Sequence, residues 1–541
     1  MERDKIFHEL VGYLFSEYGT YEPDVITFTV QLNAHVEIGE IVCIEHPTLE
    51  GVPVFYQVIR VPVRRKAKSF EEDLLRLGKI IKDSSRNYPR AIAKQIGYYT
   101  KLENLGKRDE LRMLLQHVIP QSPVYKPSEE ILELLLRPEE DYIVLGEIYP
   151  SFKQEMSLEL PLLMRQGLLV VGGVGTGKTT TMATVIYNIM KVLLNKGSQP
   201  HLLIIDKDGE YGSQKLVSLV GEENYRRIHI DEISLGSQIF RSPDDFRKRL
   251  FGVLGIAPNS KEARAINVAV ESAVRDGVEL RFEPDFVEEE IIPRLTSPEM
   301  RESVRNALYN WKKCFKAKEE GITTDDIALL LKKISIVHID LSKTRDWANV
   351  FEKLAIILKL IYDEAIYDEN FGAIIVLDEA HLFVPERGGI ELTNREKVEM
   401  LKDIIKLIAT TGPRNGVTPF FATQRPALVD KTITTQLGQN IIAHRVEDVD
   451  LARLTEILGD VAKEVSLLPR GWALVKSSAS KINQSFIVKI KATDMPISVG
   501  KTAYYRFKEK PLQILISKGG RKREEKTKNE KKELKGLDTF L

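Results

Sequence analysis

The feature that most constrains the fold of this chain is a glycine-rich segment between an apolar strand and an amphipathic helix. It begins Leu168-Leu-Val-Val and continues through a G-x-x-x-x-G-K-T pattern from Gly172 to Thr179. Glycines let the backbone curl until successive N–H groups face one anion, and Lys178 adds a positive charge for the outer phosphates. The following helix begins beneath those phosphates, so its positive dipole end faces them. The segment therefore predicts a site for a nucleoside triphosphate.

The residues expected to bind this nucleotide form one unbroken stretch of the loop and the first helical turn. They are Gly173, Val174, Gly175, Thr176, Gly177, Lys178, Thr179 and Thr180. The hydroxyl of Thr179 is the expected ligand of Mg²⁺ on this side of the site. ATP and Mg²⁺ are therefore the predicted cofactors.

Composition excludes several classes of protein. In 541 residues, 78 Lys and Arg balance 78 Asp and Glu, so a nucleic-acid site would have to be a local patch. Cys43 and Cys314 are the only cysteines, which excludes a disulfide framework. The chain has no apolar leader and no apolar run long enough to span a bilayer. We expect a cytoplasmic protein without a membrane contact.

The N-terminal region has the pattern of a small β-barrel. Short apolar or alternating runs at 25–30, 39–44 and 52–61 are separated by turn residues. Helices are expected over 69–84 and 109–118. Pro120, Pro123 and Pro127 then predict a linker.

From about residue 142 strands alternate with helices, which predicts an α/β fold with a parallel sheet. The expected strands lie at 168–171, 201–206, 334–340, 373–378, 419–423, 440–443 and 472–476. The connection between the second and third strands is too long for a crossover, and its periodicity predicts an all-helical insertion. The expected divisions are 1–135 for the barrel with trailing helices, 136–240 and 334–500 for the core, 241–333 for the insertion, and 501–541 for a disordered charged extension.

A second apolar strand ends in two carboxylates. Ala373-Ile-Ile-Val-Leu leads into Asp378 and Glu379, at the sheet edge where the glycine-rich loop is also expected. The first carboxylate is expected to hold Mg²⁺ and the second to polarise the attacking water. The alternative is that both begin a solvated loop.

Three further polar residues follow or flank sheet elements. Gln424 ends an apolar strand and is a candidate sensor of the γ-phosphate, with a simple turn at Arg425-Pro426 as the alternative. Arg414 and Arg445 are candidates to stabilise the transferring phosphoryl group from across a subunit boundary. A solvated surface arginine is the alternative for each.

Four segments follow one another along the chain: the glycine-rich loop, Asp206-Lys-Asp-Gly209-Glu210-Tyr211, Leu377-Asp-Glu-Ala-His381 and Ala422-Thr-Gln-Arg-Pro426. In this order they resemble the HerA–FtsK group of RecA-like DNA-pumping ATPases, and specifically its archaeal HerA branch. The resemblance implies an α/β RecA-like P-loop ATPase core, a helical insertion and an N-terminal HAS-barrel-like domain. Val11-Gly-Tyr-Leu-Phe would be the first barrel strand. Arg414 stands one position later than the arginine of the family's Gly-Arg-Lys-aromatic-Gly-Val segment.

The resemblance also implies partners. It implies a homo-hexameric ring that threads double-stranded DNA and works with a NurA-type nuclease in end resection and recombinational repair. Two alternatives stay open. One is a DNA pump for plasmid transfer or viral genome packaging, and the other is an ATP-switched platform for a nuclease.

The extreme C-terminus has a separate pattern. Leu537 and Phe540-Leu541 are spaced like the sliding-clamp-binding peptide at the ends of many archaeal DNA enzymes, with Leu534 where its glutamine would stand. A clamp is therefore a candidate partner of this tail. The alternative is that these residues pack on their own ring or remain free.

Overall fold

The fold is taken from a computed structural model. It describes residues 3–14, 23–31, 34–61, 90–212, 214–235, 239–240, 243–314, 321–344, 346–386 and 395–493. The helix expected over 69–84, the end of the first expected strand at Phe15, and the C-terminal extension with its clamp-binding pattern lie outside these residues. In the described ranges, none of the helices combines the length and apolar character that a bilayer crossing requires.

The described N-terminal strands close into an antiparallel barrel. After helix α1 (Arg3–Ile6), they are β1 (Glu9–Leu14), β2 (Val25–Val30), β3 (Ile41–Glu45), β4 (Pro53–Arg60), β5 (Arg90–Tyr99), β6 (Leu111–Arg112) and β7 (Pro123–Lys126). Their order is β2-β1-β7-β3-β4-β5, and β5 also pairs with β2, which closes the sheet. Strand β6 extends β5 outside the closed ring. The predicted barrel is confirmed.

Two local predictions in this region were wrong. The segment expected to be a linker contains β7, in which Tyr125 lies opposite Leu10 of β1 and Cys43 of β3, so it is part of the barrel wall. Pro123 is tolerated because it is the first residue of the strand. The helix expected over 109–118 is also absent from the structure, because the chain there forms a 3₁₀ turn followed by β6.

Strand β3 buries both of its faces. Val42 points into the barrel interior, whereas Ile41 of β3 and Phe55 of β4 belong to a second apolar cluster that continues into the α/β core. A hydrogen bond accompanies this contact, in which Gln57 Nε2 donates to the Ser485 carbonyl at 2.9 Å. The barrel and the core therefore share one hydrophobic cluster.

The core is built on a mixed sheet. The strands that follow the barrel are β8 (Tyr142–Ile148), β9 (Glu155–Glu159), β10 (Leu168–Val171), β11 (Leu202–Asp206), β12 (Tyr225–His229), β13 (Ile239–Phe240), β14 (Leu280–Arg281), β15 (Ile336–Asp340), β16 (Ala373–Leu377), β17 (Val417–Thr423), β18 (Asn440–Ala443), β19 (Trp472–Ser477) and β20 (Ser485–Ile490). Strands β13 and β14 form a separate pair, and the others form the main sheet. The order is β12-β15-β11-β16-β17-β10-β18-β19-β20-β8-β9. The run from β12 to β18 is parallel, and the strands from β18 to β9 pair antiparallel. The predicted α/β core is confirmed, with an antiparallel extension that the sequence did not indicate.

Helices cover both faces of this sheet. The longer helices that follow the barrel, including those of the insertion, are α2 (Glu129–Leu136), α3 (Leu160–Gln166), α4 (Lys178–Asn195), α5 (Gln214–Val220), α6 (Pro243–Leu254), α7 (Lys261–Arg275), α8 (Pro298–Cys314), α9 (Thr324–Leu331), α10 (Trp347–Tyr367), α11 (Arg395–Thr411), α12 (Lys431–Leu437) and α13 (Asp448–Leu458). Met182 and Ile189 of α4 pack on one face, and Leu354 of α10 with Ile405 of α11 packs on the other. This arrangement buries the parallel strands on both sides.

The long connection after β11 contains the predicted helices and three strands besides. Helices α6 to α8 surround their own core, which includes Phe246, Ile266 and Leu308. Strand β12 pairs parallel with β15 at an edge of the main sheet, and β13 pairs with β14. Within its described residues, 243–314 and 321–333, the predicted insertion has helices as its main elements and contains the two-residue strand β14. The proposed divisions near residues 135, 240, 333 and 500 stay predictions.

Candidate active site

The sheet brings the glycine-rich loop and the paired carboxylates to one edge. Strand β10 leads into the loop, β16 leads into Asp378 and Glu379, and β17 between them leads into Gln424. All three strands are parallel, so their carboxyl ends lie together. Residues about 250 positions apart in the chain thus meet, as predicted.

Backbone hydrogen bonds hold the glycine-rich loop in place. The Gly173 N–H donates to the Arg445 carbonyl at 2.8 Å, and the Gly471 N–H donates to the Thr176 carbonyl at 3.0 Å. Gly177 has a φ of 119°, a backbone conformation that side chains with a Cβ rarely adopt. The loop is therefore tied to the segment that follows β18 and to the residue that precedes β19.

A buried histidine that no sequence motif indicated lies under this loop. His444 Nδ1 is 2.8 Å from the Trp472 carbonyl oxygen, and its Nε2 is 2.8 Å from Thr181 Oγ1. A carbonyl only accepts, so we assign the proton to Nδ1, and Nε2 then accepts from the threonine hydroxyl. Burial lowers the pKa of His444 to about 4, so the ring is neutral near pH 7. A Cβ on Gly172 would lie 2.7 Å from the His444 Cβ, which explains the glycine there. The signal in the sequence is a histidine directly after an apolar strand.

Lys178 forms a buried ion triad with both predicted carboxylates. Its Nζ lies 2.8 Å from Asp378 Oδ1 and 2.6 Å from Glu379 Oε1. Burial opposes the charge on Lys178, but the two carboxylates outweigh it and raise its pKa. The three side chains are 5% exposed or less, so they interact in a medium that screens charge weakly.

Glu379 is held by groups on both sides. Gln424 Nε2 donates to Oε1 at 2.6 Å, and the Gln424 N–H donates to Oε2 at 3.2 Å. His381 Nδ1 is 3.3 Å from Oε2 and 3.2 Å from Thr423 Oγ1. Burial raises the pKa of Glu379, but the His381 hydrogen bond and the Lys178 charge outweigh burial and lower it to about 2. Glu379 also has a φ of 51°, a strained conformation of the kind found at functional sites.

The residues near Asp378 fit a magnesium ion. Burial raises the pKa of Asp378 to about 6 although Lys178 opposes it. The buried Tyr211 hydroxyl has no hydrogen-bond partner within the described ranges, and the Asp378 charge adds to burial in raising its pKa. Such an atom suits a site where water or a ligand oxygen binds. No group of three or more His, Cys, Asp or Glu side chains in the described residues could hold a metal alone. Thr179 and Asp378 would therefore share the ion with phosphate oxygens and water.

The structure separates the two candidate arginines. Arg445 is exposed and follows β18, so it lies at the edge that carries the loop of its own chain. Arg414 is exposed in the 3₁₀ turn before β17, at the opposite edge of the sheet. Strand β17 spans seven residues, or about 23 Å. Arg414 does not reach the site of its own chain.

A family model identifies the segment that contains the loop. Residues 143–361 match the model described as "Helicase HerA, central domain". This segment is similar to the central domain of HerA helicases. It includes the glycine-rich loop and the Asp206–Tyr211 turn and ends before Asp378. No curated protein sequence matches this chain.

Solved structures show low overall similarity to this chain. The bacterial conjugative coupling protein TrwBdeltaN70, in its unbound monoclinic form, is 11% identical with a TM-score of 0.43, covering 68% of this chain and 93% of its own. VirB4 of Thermoanaerobacter pseudethanolicus is 13% identical with a TM-score of 0.43, and the match covers 66% of this chain and 98% of VirB4. The genome packaging NTPase B204 of Sulfolobus turreted icosahedral virus 2, in complex with AMP, is 14% identical with a TM-score of 0.29, and the match covers 60% of this chain and 96% of B204.

Proposed function

We propose that this chain is an ATP-hydrolysing motor that moves double-stranded DNA as a homo-hexamer. The observation that carries the proposal is the Lys178–Asp378–Glu379 triad, which lies at the sheet edge that carries the glycine-rich loop. The match of residues 143–361 to the HerA central-domain model supports it. One cation and two carboxylates with opposed pKa shifts supply the charges that phosphoryl transfer to water requires.

Each group has one role in the proposed hydrolysis. Lys178 exchanges its carboxylate partners for the outer phosphate oxygens and stabilises their charge. Glu379, released from Lys178, becomes more basic and accepts the proton of the attacking water at a carboxylate oxygen. Thr179 and Asp378 would hold Mg²⁺, which would supply positive charge to the phosphate oxygens when bound. Gln424 donates a hydrogen bond to Glu379, and we assign it the role of linking the γ-phosphate to this general base.

The arginines are proposed to serve different sites. Arg445 lies beside the loop of its own chain, since its carbonyl accepts from Gly173, and we assign it to that nucleotide. Arg414 lies at the opposite edge, which supports a role at the neighbouring subunit's nucleotide. A ring would place such an edge against the next subunit.

The barrel is proposed to dock a NurA-type nuclease, which would place the motor in DNA end resection and repair in the cytoplasm. The segment between β6 and β7 supports a docking role. Leu115 is 88% exposed there, and Met113 and Ile119 are exposed as well, whereas Leu114 and Val118 are buried in the barrel. Exposed apolar side chains in one short segment are typical of a protein contact.

An ATPase assay with linear duplex DNA tests the proposal. DNA should stimulate hydrolysis, and Glu379→Gln should retain ATP binding while losing turnover, because the amide keeps the shape without the basic oxygen. Glu447→Gln is the matched control, since Glu447 is exposed and its side chain makes no capping bond.

Displacement of a third strand from duplex DNA then tests movement. Hydrolysis without displacement, together with stimulation of a nuclease partner, would favour the platform alternative over the motor. Displacement without any effect on such a nuclease would favour transfer or packaging over repair.

A further inference from the structure

The short turn that carries Arg414 lies close against the sheet. It is the 3₁₀ turn Gly412–Asn415, which joins α11 to β17. A Cβ on Gly412 would lie 2.6 Å from the Val417 carbonyl oxygen, so the start of the turn approaches the first residue of β17 too closely for a side chain. The N–H of the first residue of β16 donates to the Gly416 carbonyl at 2.8 Å. The backbone on both sides of Arg414 is therefore held by neighbouring strands.

A series of side-chain hydrogen bonds also joins this turn to α10. The Tyr362 hydroxyl of α10 lies 2.7 Å from Thr411 Oγ1, at the end of α11, and 2.9 Å from Asn415 Nδ2, in the turn. Thr411 Oγ1 donates to the Leu407 carbonyl at 2.9 Å. This bond uses the one proton of the threonine hydroxyl, so the Tyr362 hydroxyl donates to Thr411 and accepts from Asn415. The bonds therefore run in one direction, from the amide of Asn415 to a carbonyl of α11.

The tyrosine at the centre of this series is buried. Tyr362 is 6% exposed and belongs to the hydrophobic cluster that lies between the sheet and helices α10 and α11. Packing holds its ring, and its hydroxyl has both a donor and an acceptor, so the group is satisfied and rigid. Asn415 is half-buried and directly follows Arg414, which is exposed. Tyr362 therefore holds the turn from its buried side, while Arg414 stays accessible.

We infer that Tyr362 is a positioning residue that orients the Arg414 turn toward the nucleotide of a neighbouring subunit. A guanidinium stabilises a transferring phosphoryl group only when it is held in place, and a displacement of about 1 Å can cost about 100-fold in rate. Arg414 is exposed, so its placement depends on the backbone of the turn, which the bond between Asn415 and Tyr362 holds. The inference rests on the role proposed above for Arg414.

The test measures kcat and KM for ATP hydrolysis by the full chain with linear duplex DNA. Arg414→Ala should lower kcat by about 10³-fold or more, as expected of an arginine supplied in trans. Tyr362→Phe keeps the ring and removes only the hydroxyl. It should lower kcat by about 10- to 100-fold and leave KM for ATP within about twofold of wild type, because the displaced arginine acts in the transition state.

Asn415→Ala tests the same hydrogen bond from its other end. It should lower kcat by as much as Tyr362→Phe, since either change removes the contact between the turn and α10. Circular dichroism of each variant checks folding, and Asn415→Ala carries the test if Tyr362→Phe does not fold.

Two further measurements separate positioning from a general loss of stability. In the Arg414→Ala background, Tyr362→Phe should lower kcat no further, because the arginine that it positions is already absent. Mixing Tyr362→Phe with Lys178→Ala subunits should restore some activity, because the second subunit supplies an intact Arg414 turn to its neighbour.

Tyr367→Phe is the matched control. It removes the same hydroxyl from the last residue of the same helix, but Tyr367 is 78% exposed. Its kcat should equal that of wild type.

Three outcomes would overturn the inference. They are a wild-type kcat in both Tyr362→Phe and Asn415→Ala, an equal loss from Tyr362→Phe with and without Arg414, and no recovery in mixed rings that do recover with Arg414→Ala. Each of them leaves the proposed function in place when Arg414→Ala alone is impaired. A wild-type kcat in Arg414→Ala would refute the role proposed for that arginine, and the inference would fail with it.

Discussion

Removal of Lys178 should destabilise the protein as well as stop hydrolysis. In the wild type, Asp378 and Glu379 both interact with Lys178 Nζ at 2.8 Å or less. Lys178→Ala removes this cation and leaves the two carboxylates buried together. Breaking a buried ion pair by removing one partner costs about 3–5 kcal/mol, because the remaining charge stays unpaired in a poorly screened site. We therefore expect a loss of that size in the free energy of unfolding in buffer without nucleotide.

Urea unfolding followed by tryptophan fluorescence measures this loss, since Trp347 and Trp472 lie in the α/β core. The matched control is Lys196→Ala, near the other end of α4. Lys196 also pairs with a carboxylate, Asp141, but that pair is exposed and should contribute about 1 kcal/mol or less. A double variant, Lys178→Ala with Glu379→Gln, should recover part of the loss because one buried charge is removed.

The pH dependence gives a second check on the same reasoning. In the wild type, the pKa of Glu379 is about 2 against an ordinary value of 4.5, so its stabilisation is present above pH 4.5 and is lost as pH falls toward 2. Without Lys178, both carboxylates favour protonation, so the deficit of the variant should shrink as pH falls from 7.5 to about 4.5. A Lys178→Ala protein within 1 kcal/mol of wild type at pH 7.5 would refute the triad as a buried, charged unit.

Three further predictions follow from the site and the proposed ring. The pKa of His444 is about 4, below its ordinary value of 6.5, so the free energy of unfolding of the wild type should fall by about 3 kcal/mol as the pH falls from 6.5 to 4. Urea unfolding of His444→Asn should lack this pH dependence. Affinity for duplex DNA should fall linearly on a log–log plot against salt, and a flat plot would contradict binding through phosphates. Mixing Arg414→Ala with Lys178→Ala subunits should restore some ATPase activity, whereas mixing Arg445→Ala with Lys178→Ala should not. The reverse result would exchange the roles of the two arginines.

The predicted site residues that the structure brings together have local signatures in the sequence. The glycines before Lys178 and the acidic pair after β16 each occupy a few adjacent positions, so their chemistry can be recognised without knowledge of the fold. Strands β10 and β18 were predicted with their observed bounds because their short apolar runs are bounded by turn residues.

The parts that sequence could not predict depend on distant partners. Strand β12 was missed because Arg226 and Arg227 interrupt its apolar pattern on an exposed face. Strand β7 was missed because Pro123 and the flanking Pro120 and Pro127 resemble a linker, and only pairing with β1 and β3 makes this segment a strand. His444 acquires its role from its contact with Thr181, which no spacing rule connects to it.

The hydrophobic cluster that joins barrel and core has a consequence during synthesis. Phe55 belongs to a strand made early, whereas Phe486, in the same cluster, follows about 430 residues later. At about 5–20 residues per second, the outer face of the barrel waits roughly 20–90 s on the ribosome before its covering strands exist. During that interval the nascent barrel exposes apolar surface that a chaperone must shield or a neighbouring nascent chain can capture.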